Sequence, residues 1–301
     1  MAHGVQPTLV GSGLGGIGRG FTPELWDGFD PQAMDRDPGL GFYEQDDFMC
    51  PPTFPVATTT ALVSGKYRAV TTTGTGGTIA DGAAQGGALD LTCGATADSE
   101  AYLQSGLSHI LASADEPGTG TYPFHHVARV RFEARFRTSS VAVSTGGMFI
   151  GLGGQLIASG QLANTSGALV STFHGIGIQV LQAASSTVNV VYQESGSVLQ
   201  TPIAALATIA ANTWYTFGMD FNPWAKSNER VTFWWGGTKQ STFLTNANVI
   251  ASTFPISTAS VQIPMGATFL KKIFATGGTL TLGGYRVASE PMIARGNEAC
   301  A

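Results

Sequence analysis

The chain has 301 residues and a mass of 31.2 kDa, with 40 glycines, 43% apolar residues, only 12% charged residues and a net charge of −5. That composition can bury a large core and excludes intrinsic disorder, which needs few apolar residues and high charge. It also argues against nonspecific nucleic-acid binding, which needs concentrated positive charge, and no apolar run approaches the ~18 residues of a membrane-spanning helix.

In chain order, residues 1–44 read as an extended arm. Gly11, Gly13, Gly15, Gly16, Gly18 and Gly20 give its first half a large entropy cost on ordering, so it is not expected to fold alone. Gly11-Ser12-Gly13-Leu14-Gly15-Gly16 formally matches G-x-G-x-x-G. A dinucleotide site needs a strand before that motif and a helix after it, and Gly18, Gly20 and Pro23 oppose the helix. The first 20 residues also lack the basic start and compact apolar stretch of a secretory signal. Trp26, Phe29, Phe42 and Tyr43 follow, spaced among Asp and Pro, and are the expected anchors of the arm on a partner subunit.

Residues 45–290 read as one all-β domain, an antiparallel β-sandwich, followed by a tail at 291–301. Strands are expected at 88–93, 101–104, 128–137, 147–152, 175–181, 187–193, 213–221, 230–235 and 279–287, β-branched or aromatic runs bounded by turn residues. The clearest is 128–137. Val130, Phe132, Ala134 and Phe136 share one face, and Arg129, Arg131, Glu133, Arg135 and Arg137 share the other. Four of the chain's ten arginines therefore line one strand face. Such a face is either balanced by cross-strand acids or pairs with carboxylates of a neighbouring subunit, so Arg129, Arg131, Arg135 and Arg137 are candidate partner-binding residues. Residues 194–197 and 235–238 read as hairpin turns. The Ala-rich stretch 203–211 suits a short helix or a strand and loop. Trp214, Trp224, Trp234 and Trp235 could stack on sugar rings; Trp234 and Trp235 are adjacent, so one points inward and one outward, and the outward one is a candidate binding residue.

Residues that could carry chemistry are sparse. Cys50, Cys93 and Cys300 are odd in number and far apart, which suits free thiols rather than a disulfide framework or a CxxC metal site. His3, His109, His125, His126 and His174 lack metal-ligand spacing. Asp98-Ser99-Glu100 places two acids on one face of a strand, the arrangement a glycosidase uses, but without a further acid at i+4. No G-x-S-x-G elbow is present. The chain is expected to be non-enzymatic, without metal or cofactor.

Several segments in series carry a resemblance. Asp46-Asp47-Phe48 precedes Gly87-Ala88-Leu89-Asp90-Leu91-Thr92 and Asp98-Ser99-Glu100-Ala101-Tyr102-Leu103-Gln104-Ser105. Then come Val130-Arg131-Phe132-Glu133-Ala134-Arg135-Phe136, Met148-Phe149-Ile150-Gly151-Leu152 and His174-Gly175-Ile176-Gly177-Ile178. Asn212-Thr213-Trp214-Tyr215 and Val231-Thr232-Phe233-Trp234-Trp235-Gly236-Gly237 complete the series. This order resembles the concanavalin A-like (laminin-G-like) jelly-roll domains of tailed-phage virion proteins, over roughly residues 45–290. The resemblance implies a lectin-like jelly roll in a non-enzymatic virion component made in the host bacterial cytoplasm. Its leading form is a capsid decoration (cement) protein, a homo-oligomer such as a trimer, clamping the major capsid protein through its arm. The alternative is a carbohydrate-binding module of a tail fibre or spike, recognising host surface glycan through Trp234 or Trp235. The glucanase hallmark E-x-D-x-x-E is missing, and neither nucleic acid nor membrane is an expected partner.

Overall fold

The computed structural model describes residues 22–30, 34, 41–50, 54, 62–64, 67–71, 77–82, 87–106, 109, 111, 128–155, 160–225, 228–255, 263–275 and 277–291. The Gly11–Gly16 motif, His3, His125, His126, Cys300 and the tail from 292 lie outside them.

Two antiparallel sheets form a sandwich, as the alternating patterns predict. The first contains β1 (Phe42–Asp46), β4 (Thr78–Asp81), β5 (Leu89–Thr92), β7 (Ala128–Thr138), β12 (Tyr215–Phe221), β13 (Val231–Trp235), β14 (Thr238–Lys239) and β16 (Thr279–Pro291). Its order is β14-β13-β12-β7-β16-β5-β4, with β1 also on β16. The second contains β2 (Leu62–Ser64), β3 (Tyr67–Thr71), β6 (Glu100–Gln104), β8 (Gly147–Gly153), β9 (Gly175–Val180), β10 (Thr187–Gln193), β11 (Gln200–Thr208) and β15 (Gly266–Lys272). Its order is β11-β10-β9-β8-β15-β6-β3-β2.

The inward residues of the two sheets make one core. Val130, Phe132, Ala134 and Phe136 of β7 are fully buried in it, on the face their alternation predicts. Phe269 of β15 bridges the layers, 6.4 Å from Phe132 and 5.4 Å from Tyr285 between ring centroids.

On the side of β16 away from β7, β5 and β1 lie end to end. Thr279–Leu282 pair with β5 and Tyr285–Ser289 pair with β1. The register shifts between Leu282 and Gly284 at this junction, and Gly284 takes φ +140°. Just beyond β1, Phe48 turns into the core at φ +53° and is fully buried. A Cβ on Gly87 would stand 2.6 Å from the Asp47 and Phe48 backbone, so the glycine is what lets the turn after β1 lie against the entry to β5.

The hairpin turns fall where expected. Gly236 and Gly237 take φ +57° and +83° between β13 and β14, and Gly196 takes φ +86° between β10 and β11. The 203–211 stretch falls mainly in an edge strand, β11, not a helix. The domain start expected at residue 45 falls inside β1, which begins at Phe42.

Candidate functional site: the outer face of the first sheet

The outward face of β7 carries the arginine row, and neighbouring strands decide what each arginine meets. Asp220 on β12 stands opposite Arg131 in the ladder, and Glu290 on β16 stands opposite Arg129. The Arg129 guanidinium donates from Nε and Nη2 to the two oxygens of Asp220, each at 2.8 Å, a bidentate fork. Arg131 is 2% exposed, with Nη1 2.7 Å from Glu290 Oε2. Burial pushes the Arg131 guanidinium down, and the Arg129 charge beside it adds to that, while Glu290 and Asp220 oppose it. Arg129 and Arg131 are thus balanced by acids of their own sheet.

Residues 22–30 cover this half of the face. Trp26 N donates to Pro23 O at 3.2 Å and Phe29 N to Trp26 O at 3.1 Å, forming a compact turn that ends near Gly28 at φ +71°. Glu133, fully buried on β7, accepts from Thr22 N at 2.9 Å and from Thr22 Oγ1, and its other oxygen accepts from Trp26 Nε1 at 2.7 Å. Burial pushes the Glu133 carboxyl up, and the Thr22 and Trp26 donors and Arg286 pull it back. Leu25 and Trp26 pack with Trp234 and Ala288, and Phe29 and Tyr43 flank them. Arg131 lies 5.7 Å from the Phe29 ring, and Arg286 lies 5.9 Å from the Trp26 ring.

This corrects the expected role of the aromatic anchors. Trp26 is 6% exposed, and Phe29 and Tyr43 are half-buried, all against this chain's own sheet rather than presented to a partner. Phe42 alone of the four is well exposed, while packing 5.3 Å from the His109 ring. The tryptophan expectation changes too. Trp234 is the outward member of its pair, but residues 22–30 lie over it and leave it 4% exposed. Trp235 faces inward at the rim, stacked on Tyr215 at 5.4 Å and edge-to-face with Phe136 at 6.1 Å.

The other half of the outer face lies beyond the cover of residues 22–30, and its arginines are partly exposed. Arg135 and Arg137 are half-exposed, and their guanidinium carbons stand 4.1 Å and 4.9 Å from the centroid of the Trp214 ring. The sequence offers Trp214 as a sugar-stacking candidate but not its place beside Arg135 and Arg137, because the pairing of Tyr215 with Phe136 that brings it there is a long-range contact.

The second sheet is sealed on its outer side by residues 160–173. Leu162, Leu169 and Phe173 pack onto Val70, Tyr102, Phe149, Val191 and Leu270. Glu100, 1% exposed, anchors this loop by accepting from Gly160 N at 2.7 Å and Gln161 N at 3.2 Å, with Lys272 Nζ 3.8 Å away. Asp98 is exposed at φ +64° before the strand, so it and Glu100 do not form a facing acid pair.

The end of the sandwich where β7 and β13 begin and β12, β10 and β16 finish gathers exposed apolar side chains. Phe42 starts β1 opposite Ser289, and Val198 follows β10. Trp224, Phe243 and Ile250 sit on the connections after β12 and β14, tied together where Arg230 N donates to Leu244 O and Asn246 N to Asn228 Oδ1. Their exposures run from 36% to 74%. Phe254 closes the core beneath them, 5.2 Å from Tyr192 and 6.2 Å from Phe221.

Two histidines are buried near this end. His174 Nδ1 stands 2.9 Å from Glu194 Oε2; burial pushes His174 down to about 4 and Glu194 up to about 7, so the pair avoids separated charges. His109 is fully buried, its Nδ1 2.6 Å from Ser289 Oγ, and burial pushes it down to about 3. At that value it is a poor base for Ser289 at neutral pH. Among the described residues, Cys50 and Cys93 are free thiols, and no group of three or more His, Cys, Asp or Glu is placed to hold a metal ion.

No family model and no curated protein matches this chain. Solved structures with a related arrangement include a protein of unknown function from Shewanella oneidensis MR-1, at 13% identity and a TM-score of 0.47, covering 87% of this chain and 95% of that one. Peanut lectin in complex with a 9-residue peptide matches at 10% identity and 0.49, covering 83% and 97%. A carbohydrate esterase from the Shiga toxin-encoding bacteriophage phi24B matches at 15% and 0.41, covering 75% and 90%. Likenesses this distant carry nothing about ligand or activity, and the β-sandwich is established by this chain's own two sheets.

Proposed function

We propose that this chain is a non-catalytic structural module of a phage particle, a decoration protein that seats on the major shell protein through one end of its sandwich. The observation that supports this reading is the distribution of exposed apolar groups. Much of both broad faces is covered by the chain itself, whereas five of the seven large exposed apolar side chains among the described residues, Phe42, Val198, Trp224, Phe243 and Ile250, gather at one end, with Met49 and Val143 apart from them. Apolar side chains grouped on an otherwise polar surface mark protein contact. The phage setting rests on the serial motifs from Asp46-Asp47-Phe48 to Trp234-Trp235-Gly236-Gly237. The test is the copy number of this chain against the major shell protein in purified particles, by quantitative mass spectrometry. A ratio near one to one, or one to a small integer, is expected. A handful of copies per particle overturns the shell role.

A second reading, glycan recognition on a tail fibre or spike, is favoured by Trp224. It is the tryptophan with most exposed surface among those described, at 39%, on a loop whose Asn222 Oδ1 accepts from Trp224 N at 3.0 Å. Indole faces stack on sugar rings. Loss of glycan-array binding in Trp224→Ala, with the fold retained by circular dichroism, is the outcome that reading requires.

A further inference from the structure

We infer that Trp214, Arg135 and Arg137 form a binding site for a carboxylated saccharide. The site lies on the half of the first sheet beyond residues 22–30, at the opposite end of β7 from the apolar cluster, so it is independent of the seating surface proposed above.

The argument starts from Trp214. It immediately precedes β12, and Asn212 N donates to Thr138 O at 2.8 Å, tying this turn to the end of β7. Asn212 takes φ +56°, a conformation asparagine tolerates better than most residues. Beneath the indole is Gly283, where a Cβ would stand 2.9 Å from the ring. The absent side chain makes the seat, so the indole is held before any ligand arrives.

Arg135 and Arg137 are two residues apart on one strand face, which brings both guanidinium groups to the same ring. Each gains a cation–π contact there, but two like charges are also brought together. Elsewhere on the row, Arg129 and Arg131 have Asp220 and Glu290. Arg137 has no ion pair among the described residues and is half-exposed. An anion bound at its outward N–H groups relieves the repulsion and uses the planar fork that suits a carboxylate. A free phosphate or sulfate would use the fork and leave the indole idle. A uronic or sialic acid uses both, its carboxylate on the guanidinium groups and its ring C–H face on the part of the half-buried indole that those groups leave uncovered.

The experiment titrates the full-length chain with oligogalacturonate and sialyllactose, and with neutral galactose oligomers and lactose, by calorimetry at low and high salt. At least one carboxylated sugar is expected to bind, more weakly at high salt, with its neutral counterpart at least tenfold weaker. Arg137→Gln, at a half-exposed position on the face away from the core, is expected to lose tenfold or more, and Arg137→Lys to recover only part. Trp224→Ala is expected to leave this binding unchanged, which separates the site from the glycan reading at the other end. No binding by either carboxylated sugar, equal affinity for neutral and charged forms, or unchanged affinity in Arg137→Gln would overturn the proposal.

Discussion

Glu133 and His109 show how much single buried polar groups control here. Glu133 receives three donors from Thr22 and Trp26, so Glu133→Ala strands those donors beneath a closed surface. The expected loss is about 2–4 kcal/mol in urea unfolding, with Glu133→Gln losing less because one acceptor oxygen remains. His109 acts through pH. Its folded value near 3 lies below the reference 6.5, so between those values the unfolded chain binds a proton that the native state does not. Its contribution is therefore complete above about pH 6.5 and is lost as pH falls toward 3. At pH 5 the loss is about 2 kcal/mol relative to pH 7. Urea midpoints measured from pH 7 to 4 should fall less steeply in His109→Gln than in the parent chain.

At the level of elements, apolar runs were legible as strands whether one face is buried, as in β7, or both, as in β6, β8 and β9, but β15 was not. β7 alternates cleanly, so its bounds and inward set follow from sequence. β15 is buried along its whole length, with Lys271 and Lys272 at its end, and such a strand shows no alternation. Trp234 and Trp235 split between the outer and inner faces as expected, but the cover over Trp234 comes from residues 22–30, more than 200 positions away in sequence. Glu133 likewise meets Trp26 across 107 positions, a pairing that no local pattern reveals. The glycines of β8 and β9 show a constraint of another kind. A Cβ on Gly177 would stand 2.2 Å from Ile150 O, and one on Gly151 2.2 Å from Ile176 O. Gly177→Ala is expected to cost more than about 3 kcal/mol, since backbone must move. Gly196→Ala meets nothing within 4 Å and pays only for its positive φ, about 1 kcal/mol. Paired thermal melts of the two variants test that ordering.

For the whole molecule, the 22–30 segment behaves as part of the sandwich's surface. Removing residues 1–30 uncovers Trp234 and Ala288 and forfeits the burial of Leu25 and Trp26, worth roughly 1.5–3 kcal/mol each. The truncated chain should melt roughly 5–10 °C lower and bind more of a hydrophobic dye than the full chain does. The last two strands have a wider consequence. β15 lies between β8 and β6, and β16 lies between β7 and the pair β5 and β1. In each sheet the final strand joins partners made early to partners made late. During synthesis, neither layer can close until the residues from Gly266 onward have left the ribosome. The earlier strands must wait with open edges on both sides of two gaps, exposed to mispairing and to chaperone capture. Nonlocal pairing of this kind makes folding slow, and the final segment, more than any earlier one, sets when the protein becomes native.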